Sequence, residues 1–222
     1  MTPFKSILKA AQQRAGGAEA LEARLPLPKN AAALRNLSDD RYLSLMSLRI
    51  FRAGLKHRMV DAKWPAFEEA FLGFEPRRVS AMSDEQLDRL IGDKRLVRHG
   101  GKMMAVRENA GAMVALAEEA GSMGAYLADW PGEAIVGLWQ DLAKRFKQLG
   151  GNSGPVFLRM AGKDSFILTP DVVRALRQWG VIEADPKGKK AQLLVQEAFN
   201  AWAAESGRPL SEISMILAIS AD

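Results

Sequence analysis

The chain contains no cysteine. Disulfides, a thiolate nucleophile and the thiolate ligands of structural zinc are therefore all excluded. Histidine is almost as scarce: His57 and His99 are the only two, too few for a histidine-rich metal centre, so no metal and no cofactor are expected. No apolar run approaches the ~20 residues that a bilayer-spanning helix requires. The opening residues, MTPFKSILKAAQQRAGG, hold no long apolar stretch ahead of a cleavage site. The resulting expectations are a cytoplasmic location and no membrane partner.

What is present is ample apolar material and an excess of positive charge. Of 222 residues, 48% are apolar, enough for a substantial core. The net charge of +5 and the pI near 9.6 favour anionic partners, nucleic acid foremost.

Apolar residues recur at helical spacing through most of the chain. Phe4, Ile7, Leu8 and Ala11 mark a short helix over 4–14, stopped by Gly16-Gly17. Another starts at Asp39, with acids in its first turn and Tyr42, Leu45, Met46 and Phe51 along one side. Pro65 is expected in the first turn of the next helix. Ser83 and Gln86 have the spacing of a capping box, ahead of a buried side made by Leu87, Leu90 and Ile91. In TPDVVRALRQWG, Thr169 is the cap, Pro170 the first helical residue and Gly180 the stop. PVFLRMAGKDSFIL is compatible with a brief strand or a helix. Phe67, Phe71, Phe74, Trp139, Trp179 and Trp202 read as packing, and KGKK (187–190) as a solvated helix entrance. The expectation is one all-α domain over residues 1–222, built from about eight to ten helices.

The stretch RLIGDKRLVRHGGKMMA (89–105) sets two glycines and several cations between two helices, within a hairpin over 84–110. One reading is a solvated corner. The other is a phosphate clamp: a helix ends near Asp93, Gly100-Gly101 form the turn, and a second helix starts at Lys102. Backbone N–H groups at that second N-terminus, with the helix dipole behind them, suit an anion. Arg98, His99 and Lys102 would supply further attraction to a phosphodiester.

FRAGL (51–55), KWPAFEEAFLGFEPRRVSAMSDEQLDRL (63–90), LVRHGGK (96–102) and ENA (108–110) together resemble the DNA-3-methyladenine glycosylase I family, within the helix-hairpin-helix glycosylase superfamily. The resemblance covers about a third of the chain. Residues 1–35 match nothing in that pattern and form an N-terminal extension without an assigned role. The resemblance implies a monofunctional DNA repair glycosylase acting as a monomer on duplex DNA. It would flip a damaged base, an alkylated purine above all, and hydrolyse its N-glycosidic bond. The base pocket would involve Arg49, Phe51, Leu55, His57 and Trp64, with Leu55 filling the gap left by the extruded base.

Three departures accompany the resemblance. The family's zinc ligands are absent. Arg49 stands where the family keeps a base-recognising glutamate, and His57 where it keeps a pocket tryptophan. Two carboxylates are candidates for catalysis: Asp171, in the first turn of a helix, and Asp164, in GKDSF. Asp171 could orient water or stabilise positive charge on the sugar, or simply complement the helix dipole; strict alignment can also put Thr169 in the aspartate's place. The alternative function, favoured by Arg49, is a catalytically inactive DNA-binding or lesion-sensing module.

Overall fold

In the computed structural model, which describes residues 2–221, helix is the only regular secondary structure. Fourteen α-helices are present among the described residues, more than the eight to ten expected. The surplus comes from short pieces. Ala18–Glu22, Ala31–Arg35 and Pro76–Ser80 have five residues each. Apolar periodicity over a window of 11–18 residues cannot register elements so brief. The ambiguous PVFLRMAGKDSFIL divides into a helix, Ser153–Ala161, and chain without regular secondary structure over 163–168.

The chain forms two compact units. One comprises Asn30–Trp130 and Trp139–Ala161; the other comprises the segments up to Lys29, Pro131–Leu138 and the chain from Gly162 onward. In chain order the helices are α1 Phe4–Ala15, α2 Ala18–Glu22, α3 Ala31–Arg35, α4 Asp39–Arg52, α5 His57–Ala70, α6 Pro76–Ser80 and α7 Asp84–Gly92. They continue with α8 Gly100–Ala120, α9 Met123–Asp129, α10 Ile135–Arg145, α11 Ser153–Ala161, α12 Pro170–Gln178, α13 Lys189–Ser206 and α14 Leu210–Ser220.

The first unit is organised around α8, which packs against α4, α6, α7 and α9. Met103, Val106, Ala110, Met113 and Leu116 are buried along it. Beside it lies an aromatic cluster: Trp64 stacks on Phe67 (4.9 Å) and Phe74 (5.4 Å), while Phe51 and Phe67 rings lie 4.5 Å apart. Phe67, Phe71 and Phe74 are all fully buried, as the sequence suggested. Pro65 does not open a helix: α5 starts eight residues earlier, at His57, and the proline sits in its interior. Its position gives up one backbone hydrogen bond, and Trp64 and Phe67, on either side of it, stack at 4.9 Å.

The second unit takes in the N-terminal residues. Far from being an appendage, α1 packs on α14 and α13. Phe4, Ile7 and Ala11 are buried, and the Phe4 amide donates to Glu205 on α13. Phe166 stacks on Phe199 at 4.1 Å, and the Trp202 indole donates to the Thr2 carbonyl. Phe4, Ile7, Ala11, Ala15 and Leu21 thus contribute to this core.

Candidate nucleic-acid interface

The hairpin is formed by α7, a loop over residues 93–99, and α8. The capping box is present in both directions: the Gln86 amide donates to Ser83 Oγ and the Ser83 amide to Gln86 Oε1. At the other end the register differs from expectation. α8 begins at Gly100, not Lys102, and His99 is its N-cap, with Nδ1 accepting from the Lys102 amide at 3.3 Å. The two glycines therefore form the first turn of the helix, not the bend. Neither has positive φ. A Cβ at Gly101 would meet only the His99 ring, at 3.7 Å, and one at Gly100 would lie 3.5 Å from Ile91. Neither backbone conformation nor crowding requires glycine here. What the missing side chains do provide is a bare helix N-terminus, where the Gly100 and Gly101 amides have no carbonyl one turn back to bond. Arg98, His99 and Gly101 are exposed around it.

The loop is held from behind by Lys63 on α5. Its ammonium donates to three successive carbonyls, Lys94 at 2.8 Å, Arg95 at 3.0 Å and Leu96 at 3.2 Å. Three N–H donors meet three acceptors. Asp93 and Arg95 pair across the loop, Arg95 also reaches Glu69, and the Arg95 partner holds the Asp93 carboxyl below the usual carboxylate range. Nothing in the sequence signalled Lys63, because its partners lie 31–33 residues away and are backbone atoms.

Lys102 faces inward. Only 7% of it is exposed, and its ammonium donates to the Ala53 carbonyl at 2.7 Å and the Phe51 carbonyl at 3.3 Å. It thereby caps the C-terminal end of α4, where cations are favoured. Burial, and then the charge of Arg49, push its pKa below the ordinary lysine value. Its side chain is committed to the scaffold; its backbone amide is already taken by His99.

The five pocket candidates separate in the same way. Phe51 is fully buried, so it props the cluster and offers no face to a base. Trp64 is half-buried, its indole N–H donating to Ser44 Oγ, which in turn donates to Glu68. Leu55 lies half-buried in the α4–α5 loop beside Gly54, whose φ of 75° places that turn in the left-handed region, and His57 is exposed at the start of α5. Arg49, in the last turn of α4, reaches Ser153 at the start of α11 through a 3.3 Å contact. Its Nε is buried and has no hydrogen-bond partner. Burial, and then the charge of Arg52, lower its pKa from the usual guanidinium value. Arg52 in turn pairs with the Asp61 carboxylate at 2.8 Å.

The two carboxylates nominated for catalysis lie in the other unit. Asp164 accepts from the Leu210 and Ser211 amides at 2.9 and 2.8 Å, and so caps α14. Asp171 is exposed in the first turn of α12 and pairs with Arg174, one turn along. Thr169 caps α12, its Oγ accepting from the Val172 amide. Among the described residues no group of three or more histidine or acidic side chains is placed to hold a metal, and no helix is long and apolar enough to cross a membrane.

Comparison with known proteins gives this geometry its context. The DNA-3-methyladenine glycosylase 1 of Escherichia coli K12 is 37% identical over 59 residues, which are 27% of this chain and 32% of that relative's length. A mutant of 3-methyladenine DNA glycosylase I from Staphylococcus aureus superposes with a TM-score of 0.51 at 25% identity, covering 64% of this chain and 83% of the other. The 8-oxoguanine DNA glycosylase of Methanocaldococcus jannaschii has the same fold over 95% of this chain and 91% of its own, with a TM-score of 0.55 at 16% identity. A methyladenine glycosylase family model matches residues 33–148. That match spans the hairpin, the Lys63 anchor and Arg49, and the chain belongs to the methyladenine glycosylase family.

Proposed function

We propose that the protein is a DNA repair glycosylase that hydrolyses the N-glycosidic bond of a damaged purine in duplex DNA. The observation that carries this reading is the bare N-terminus of α8. Glycine occupies two positions where the fold does not need it, and their amides stand open beside Arg98 and His99. A phosphodiester oxygen is a fitting partner for such amides, and the contact is independent of sequence. Anchoring one strand there steadies the duplex while a neighbouring nucleotide swings out. Extrusion costs a few kcal/mol, least for a base whose pairing is already impaired. Leu55, on the α4–α5 turn, fills the vacated stack.

In the reaction the sugar C1′–N9 bond breaks, the base departs with the bonding electrons and water adds at C1′, losing a proton. A carboxylate can orient that water or stabilise the cationic sugar. Asp171 is the candidate, because Asp164 is occupied in capping α14. No amine nucleophile is called for, so strand cleavage is not expected, and neither is a cofactor.

The test uses 25-base-pair duplexes, each with one defined lesion, incubated with the full chain and treated with mild alkali to reveal abasic sites. Release of base without strand cleavage before alkali is the expected result. Tight binding with no release from any lesion would favour a lesion-sensing module, a reading to which Arg49 lends some support.

A further inference from the structure

Resting on the proposed glycosylase function, and on Arg49 belonging to the base pocket that the family resemblance implies, we infer that Arg49 makes that pocket selective for a deaminated purine over a cationic N-methylated one. Arg49 Nε is buried without any hydrogen-bond partner, and its terminal nitrogen reaches only a neutral hydroxyl, Ser153, at 3.3 Å. Buried charged donors in folded proteins are ordinarily paired, and an unpaired one calls for a partner. The surroundings deepen the deficit. After burial, the charge of Arg52 lowers the pKa of Arg49 and the charge of Arg49 lowers that of Lys102, so three cations crowd this corner. Asp61 is spent on Arg52, and Lys102 on two carbonyls. α11 presents its N-terminus, the positive end of its dipole, at the Ser153 contact.

Such a site repels a base carrying a positive charge, since like charges about 4 Å apart interact strongly at the dielectric of a protein surface. It attracts an edge with two adjacent acceptors. Hypoxanthine and xanthine present O6 and N7 together, the pair that a guanidinium fork grips with two parallel hydrogen bonds. Ordinary guanine presents the same edge but is protected by its pairing and stacking; a hypoxanthine opposite thymine is mispaired and is extruded more cheaply. One such bidentate contact discriminates by roughly five- to 150-fold.

The experiment measures affinity by fluorescence anisotropy for duplexes with a 2′-fluorinated sugar at the test position, which resists hydrolysis, so binding is read without turnover. The base there is hypoxanthine, N7-methylguanine or guanine, each placed opposite thymine so that none keeps its normal pairing. The same lesions on ordinary sugars report release. The wild-type protein is expected to bind hypoxanthine at least fivefold tighter than N7-methylguanine. Arg49→Met should erase that ratio, and Arg49→Glu should invert it. Equal or stronger wild-type binding of the cationic base, or a ratio untouched by Arg49→Met, overturns the inference. Should the variants fail to fold, the wild-type ranking alone decides. A preserved ranking with no release from any unmodified lesion leaves the specificity inference standing and sinks the enzymatic reading instead.

Discussion

Removing the Lys63 ammonium tests the hairpin most directly, because it disturbs the loop without touching the surface offered to DNA. In Lys63→Met the aliphatic stem survives and three charge-assisted hydrogen bonds disappear. Taken singly, such bonds contribute ~1.5–3 kcal/mol. The Lys94 and Arg95 carbonyls belong to exposed residues and exchange the ammonium for water, whereas Leu96 is 2% exposed and its carbonyl is the one left short of a partner. The net destabilisation is therefore ~1–2 kcal/mol, close to the cost of a single stranded acceptor. For a chain of this size that corresponds to a fall in Tm of about 2–8 °C. DNA affinity should fall as the loop over 93–99 loosens, but its salt dependence should not. Every phosphate that is no longer neutralised lowers the slope of log affinity against log salt by about 0.9, and Lys63 is turned toward carbonyls. The assay is fluorescence anisotropy with an undamaged duplex between 50 and 300 mM salt, alongside thermal denaturation. Parallel, displaced lines are expected. A slope reduced by close to one charge with Tm unchanged would refute the reasoning, since Lys63 would then touch DNA directly. Lys63→Arg should recover only part of the stability, because a planar fork cannot address three successive carbonyls.

Gly101→Ala should separate fold from function in the opposite direction. A methyl fits at that negative φ, so Tm should hold or rise, by the equivalent of ~0.4–1 kcal/mol, while the duplex Kd increases because the methyl shields the amide. Lys102 should leave a pH signature. Its pKa is depressed in the folded protein, so the unfolded chain binds the proton more readily, and stability gains as pH rises from the folded pKa toward the free-lysine value. Urea titrations of wild type and Lys102→Met at pH 7 to 10 should show their difference moving in favour of wild type as pH rises; a flat difference counts against burial as the cause. Asp171→Asn should melt within the equivalent of ~0.5 kcal/mol of wild type, since the Arg174 pair is about half exposed at both ends, yet slow base release in single-turnover assays by about 10²-fold or more. Asp164→Ala should instead cost ~0.5–2 kcal/mol of stability through loss of the α14 cap.

Helical character, the Ser83–Gln86 capping box, the Thr169 cap and the buried phenylalanines were all legible in the sequence. They depend on near neighbours: a hydroxyl three residues from an amide, or apolar side chains one turn apart. The glycine pair with its cations also stood out, although its register did not, because His99 becomes a cap only once the loop is bent back and held. What tertiary structure alone decided is which cations remain available. In the sequence, Lys63, Arg98, Arg49 and Lys102 each read simply as one more positive charge. Folding turns Lys63 onto three loop carbonyls and buries Lys102 against the end of α4. Arg98 stays in solvent, and Arg49 is left with a donor unmet. Those outcomes are set by backbone carbonyls and a serine distant in sequence, whose positions follow from how the helices pack and from no local pattern.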